Sequence, residues 1–62
     1  MKVFLITDYY EENVDSVWRD RQDAEARCWV LSQEKKRHML VKALKVDANE
    51  PSCELVYEAW YG

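Results

Sequence analysis

The first stretch of the chain is strand-like in its pattern. From Lys2 to Tyr9, β-branched and aromatic residues dominate, which reads as a strand. Tyr10-Glu11-Glu12-Asn13 is a polar turn, and Val14 to Arg19 reads as a second strand with Val14, Ser16 and Trp18 on one side. The two runs are close enough to pair as a hairpin, although the turn has neither Asn-Gly nor Asp-Gly. From Asp20 the period changes. Asp20 suits a helix N-cap, and Asp23 and Glu25 suit the positive end of the helix dipole. At about 100° per residue, Ala24, Cys28 and Leu31 share one narrow stripe. Lys35, Lys36 and Arg37 follow where a helix C-terminus favours positive charge. The spacing predicts a helix over about 20–35. His38 to Val46 reads as a third strand, with Met39, Val41 and Ala43 on one face and Leu40, Leu44 and Val46 on the other. Asp47 to Pro51 is a turn, because Pro51 ends a ladder and Asn and Asp favour bends. Ser52 to Tyr61 is a fourth strand. Strict alternation puts Cys53, Leu55, Tyr57, Ala59 and Tyr61 on one face and Glu54, Val56, Glu58 and Trp60 on the other.

The expected order is ββαββ in a single α+β domain over residues 1–62: a small antiparallel sheet of three to four strands with one helix packed on one face. A helix of 15 residues is about 22 Å long and about 10 Å wide. Four strands at about 4.8 Å spacing span nearly 20 Å. One helix therefore covers one face, and the other should be polar if alternation is clean. It is not. Phe4 and Ile6 oppose Val3 and Leu5, the third strand is apolar on both sides, and Val56 and Trp60 oppose Leu55 and Tyr57. On the helix, Ala26, Trp29 and Val30 lie off the buried stripe. This surplus predicts an interface to a second copy or to another protein. Three Trp and four Tyr support it, since such residues carry binding energy disproportionately. The expected contact residues are Trp18, Trp29, Val30, Val56 and Trp60, with Tyr9 and Tyr10 next. Phe4 and Ile6 join them if the helix takes the Val3/Leu5 side, and Val3 and Leu5 join them otherwise.

Composition narrows the chemistry. The chain has 62 residues, 48% hydrophobic and 34% charged, an ordinary globular balance for one domain. A chain this short buries only about 60% of its unfolded surface, so its stability is marginal without a staple. One Gly excludes the glycine-rich phosphate loops of nucleotide enzymes. Cys28, His38 and Cys53 fall in three different elements without CxxC or HxxxH spacing, so neither a metal nor another cofactor is expected. Cys28 should face the sheet, where a thiol is inert. Both cysteines are expected to be reduced and buried. A single His leaves no relay partner, and pairs such as Glu11-Glu12 and Glu54/Glu58 read as solvated acids. No catalytic residue is assigned and no small-molecule substrate is expected. No run approaches the ~18 apolar residues of a membrane span. Asp8 interrupts the N-terminal apolar run, which favours the first strand of a mature cytosolic chain over a secretion signal.

Charge is segregated. The formal net charge is −3, but residues 1–26 carry −4, residues 27–47 carry +4 and residues 48–62 carry −3. Opposite patches favour head-to-tail association or steering toward a charged partner. The main alternative is a nucleic-acid-binding module over 35–45. Lys35, Lys36, Arg37, Lys42 and Lys45 would follow phosphates, and Trp18, Tyr57 or Trp60 would stack bases. The acidic total and a pI near 5.0 weigh against it. An acidic DNA mimic built on the N-terminal half is a further alternative.

Lys2-Val3-Phe4-Leu5-Ile6, a polar aromatic turn, and Val17-Trp18-Arg19-Asp20-Arg21-Gln22-Asp23-Ala24-Glu25-Ala26 resemble small proteins of phages and prophages. In these a strand pair leads into a helix that begins near an Ala-Glu pair. The resemblance is architectural, covers about residues 1–35 and carries over no catalytic residue. It implies an accessory role, binding and inhibiting a host protein as anti-restriction and anti-CRISPR proteins do. The expectation is a non-enzymatic interaction protein of the host cytoplasm, working as a homodimer or by steric blockade of a host defence or nucleic-acid-processing protein.

Overall fold

The computed structural model describes residues 2–11, 13–46, 49 and 52–61. Strand β1 (Lys2–Asp8), strand β2 (Val14–Trp18), helix α1 (Arg21–Lys35), strand β3 (Met39–Lys45) and strand β4 (Ser52–Ala59) follow in that order. The ββαββ arrangement is the one expected. The strands form one antiparallel sheet in the order β2-β1-β3-β4. β2 and β3 therefore flank β1 and run the same way, and α1 crosses one face between them. Apart from Asn49, the turn expected at Asp47–Pro51 lies outside the described residues.

Local chemistry sets the helix ends. Asp20 has an extended backbone, and its side chain accepts hydrogen bonds from the backbone N–H groups of Gln22 (2.8 Å) and Asp23 (3.2 Å). That satisfies donors the first turn leaves free. At the other end Lys36 takes the left-handed conformation, φ 54° and ψ 48°. Its N–H and that of Arg37 both turn back to the Ser32 carbonyl. The chain then leaves the helix sharply and enters β3.

The core is one cluster between helix and sheet. Phe4 and Ile6 of β1, Met39, Val41 and Ala43 of β3, and Ala59 of β4 meet Ala24, Cys28 and Leu31 of α1. The helix thus takes the Phe4/Ile6 face, and Val3 and Leu5 lie on the other. Two properties decide this. The covered face is wholly apolar over the helix, and Ala24, Cys28, Ala43 and Ala59 are small enough for close approach. The opposite face has Lys42 at its centre, paired across the ladder with Leu5. Burying that amine beneath a helix stripe without a partner costs far more than burying another methyl group.

Two irregularities change the faces expected from alternation. On β1/β2 the register shifts between Ile6 and Thr7, so Ile6 opposes Ser16 while Thr7 opposes Val14. Val14 is therefore on the face opposite Ser16 and Trp18, not beside them. On β3/β4, Val41 opposes Tyr57 but Lys42 opposes Leu55, with Val56 as the extra residue. One inserted residue reverses the parity of all that follows. Cys53 and Leu55 thus share the open face, while Tyr57 and Ala59 share the helix face. Cys53, expected in the core, is exposed. Cys28 is fully buried as expected, and both thiols are free.

Candidate functional site

Two surfaces are left over once the core is built. The first is the open face of the sheet. Val3, Leu5 and Thr7 come from β1, Val14 and Val17 from β2, Leu40, Lys42 and Leu44 from β3, and Cys53, Leu55 and Glu58 from β4. Thr7 and Leu40 are buried, but Val3, Leu5 and Leu44 remain partly open. Val17 is 58% exposed and Leu55 44%. Lys42 does not stand alone on this face: its ammonium forms an ion pair with Glu11, which the β1–β2 turn brings to it. The pair raises the Lys42 pKa, because the carboxylate hydrogen bond favours the ammonium form. Glu11 holds a left-handed backbone, φ 60°, unusual for a residue with a Cβ. Its N–H donates to the Asp8 carbonyl (3.1 Å), and Asp8 N–H donates to the Asn13 carbonyl (3.3 Å).

The second surface is the end of the sheet where β1 and β4 stop and β3 starts. Tyr9, His38 and Trp60 converge there from three separate connections. The His38 and Trp60 rings lie 4.4 Å apart edge to face, Tyr9 is 5.7 Å from Trp60 and 6.1 Å from His38, and Tyr10 packs edge-on to Tyr9 at 5.4 Å. The separations suit attractive edge-to-face contacts. The rings are also pinned by polar bonds. Tyr61 N–H donates to His38 Nδ1 (3.0 Å), which leaves the ring proton on Nε2. Trp60 Nε1–H donates to Glu58 Oε2 (3.1 Å). Between this cluster and the helix C-terminus lies a cavity of about 360 Å³, lined by Asp8, Tyr9, Tyr10 and Tyr61 on the strand side and by Lys36, Arg37 and His38 on the other.

The residues expected at an interface do not meet on one surface. Tyr9, Tyr10 and Trp60 gather at the sheet end and are exposed. Trp29 is 55% exposed on the helix, off the buried stripe, with half-buried Val30 beside it in sequence. Trp18 and Val56 lie between helix and sheet, partly buried against the core. Both are tied into the fold: Trp18 Nε1–H donates to Ser16 Oγ at 2.7 Å, and the Val56 carbonyl accepts from Arg21 Nη2 at 3.2 Å. Alternation left open whether Val3 and Leu5 or Phe4 and Ile6 face outward, and it did not single out Val17 or Leu44. The signal available was Lys42, a charge central to one face of an otherwise apolar strand.

The bases expected to form one nucleic-acid track are likewise dispersed. Lys35 is paired with Asp15 at 3.2 Å, and Lys42 with Glu11. Lys45 closes the far end of β3, opposite Lys2 and Ser52. Only Lys36 and Arg37 of the five line the aromatic cavity.

Among the described residues, no group of three or more His, Cys, Asp or Glu side chains is placed to hold a metal ion. No helix among them is long and apolar enough to cross a membrane. Burial pushes the Cys28 thiol up to about 11, away from the thiolate a nucleophile requires. No protein-family model, curated protein or solved structure matches the chain.

Proposed function

We propose that this chain is a non-enzymatic protein-interaction module that assembles with a second copy of itself through the open face of its sheet. One observation carries the reading: Val3, Leu5, Val17, Leu44 and Leu55 share a face that no helix covers, and the one cation central to it is neutralised by Glu11. The centre of such a face can lose water without stranding a lone charge. Two sheets pack face to face about 10 Å apart, with alternate side chains interdigitating. Four strands of about seven residues offer roughly 400 Å² in projection, or about 800 Å² over two copies, the range of weak, transient interfaces. The dimer is therefore concentration-dependent. A second copy suits this face: a two-fold axis sets one Lys42–Glu11 pair against another, while Glu58, exposed near the end of β4, stays at the rim in water.

The resemblance of residues 1–35 to phage accessory proteins supports an action on a further protein of the host cytoplasm, by covering its surface. The exposed Trp29 and the aromatic sheet end would supply that contact. Light scattering over a wide concentration range tests the assembly. A mass rising from 7.5 kDa toward twice that value is expected. The paired variant Val17→Lys/Leu55→Lys, which places charge at two already exposed positions on edge strands, should stay monomeric and folded. A wild-type mass fixed at 7.5 kDa overturns the dimer.

A further inference from the structure

The cavity at the sheet end is separate from the open face and has its own chemistry. Its strand side is three tyrosines and Asp8, whose carboxylate accepts from Asn13 Nδ2 at 3.3 Å; Tyr10 is 77% exposed and Tyr61 40%, so ring surface is left available after the Tyr9–His38–Trp60 contacts are made. Its other side carries two cations, Lys36 and Arg37, which make no side-chain ion pair among the described residues. Every other base near the helix end is already engaged, Lys35 by Asp15 being the nearest case. The left-handed turn at Lys36 fixes where the chain leaves the helix and so brings both residues to the cavity. A volume of about 360 Å³ sits in the range of small-ligand sites. Lysine and arginine beside free ring faces suit a planar ring that carries an anion.

We propose that this cavity binds one nucleotide, with the base against Tyr10 and Tyr61 and the phosphate on Lys36 and Arg37. A methylated ammonium, which aromatic cages otherwise attract, is disfavoured by the two cations. An extended nucleic-acid track is disfavoured too. Lys42 is committed to Glu11, and Lys45 is six residues further along β3, about 20 Å away at strand rise. The site therefore takes a single unit, either a free nucleotide or one exposed nucleotide of a single strand.

Amide chemical shifts of Arg37, His38 and Tyr61 read the binding directly. Adenosine 5′-monophosphate and a hexadeoxyadenylate strand distinguish the two sources, and adenosine and ribose 5-phosphate each supply one half of the ligand. Saturable shifts are expected with the monophosphate, the strand or both, and weaker binding of each half alone. Tyr10→Ala should weaken binding about 5- to 100-fold through lost stacking. Arg37→Ala should flatten the salt dependence of strand binding, which for one contacted phosphate amounts to about 2.6-fold between 50 and 200 mM salt. Both side chains are exposed, so both variants should melt like the parent. Four results would each overturn the proposal. These are no shifts with either phosphorylated probe at millimolar concentration, equal binding of ribose 5-phosphate alone, equal binding of adenosine alone, or binding indifferent to both substitutions.

Discussion

At the scale of single residues, the two cysteines behave as opposites. Cys28 is fully buried on the helix stripe and its thiol is pushed up from 9.0 to about 11, mainly by desolvation. Below pH 9 the thiol is protonated in both folded and unfolded chains, and its contribution to stability is fully present. Between 9 and 11 the unfolded thiol ionises while the folded one keeps its proton, so stability falls as pH rises, by about 2–3 kcal/mol in all. Chemical denaturation at pH 8 and pH 11 should show this loss in the parent and a smaller one in Cys28→Ala. Cys53 is exposed and should alkylate in the native state, with Cys28 modified only on unfolding; mass spectrometry under native and denaturing conditions checks it. The burial of Cys28 was legible from the spacing Ala24–Cys28–Leu31. That of Cys53 was not, because its face depends on an extra residue three positions later, at Val56.

At the scale of elements, the helix is bounded by identifiable contacts, and each boundary makes a prediction. Removing the Asp20 cap leaves two backbone donors without their carboxylate. Asp20→Ala should cost about 1 kcal/mol, or roughly 4–8 °C in Tm for a domain of this size. Lys36 is held at φ 54°, where a Cβ is unfavourable by about 1–2 kcal/mol. Lys36→Gly should therefore raise Tm slightly, part of the gain being offset by greater freedom in the unfolded chain. The start of the helix could be read from Asp20 and the acids after it. The strands were legible as elements, and so was the β1–β2 hairpin, but not the register of the ladders. Ladder irregularities at Ile6/Thr7 and Val41/Lys42 leave no mark on single-strand periodicity, because each arises from a mismatch between two strands.

At the scale of the whole molecule, a two-layer body with Cα extents of 39 × 21 × 15 Å shelters only one face of its sheet. A second layer against the open face would add the core that so short a chain lacks. Tm should then rise with protein concentration in the parent and stay constant in Val17→Lys/Leu55→Lys, because mass action stabilises only what associates. Scanning calorimetry across a hundredfold concentration range measures this. The aromatic end is a whole-molecule property in the same sense. Tyr9, His38 and Trp60 are each 22 or more positions apart in the chain, and the strand order β1-β3-β4 brings them together.

The sequence by itself determined the element order, the helix stripe and the excess of apolar surface over what one helix can cover. These follow from local periodicity, capping chemistry and the ratio of surface to volume, none of which needs a partner strand. Tertiary structure decided which apolar residues face outward, where Cys53 and Val14 point, and which of the five bases find a partner among the described residues. Those outcomes turn on strand register and on ion pairs such as Lys42–Glu11 and Lys35–Asp15, contacts between distant residues that compete for the same charges and the same faces.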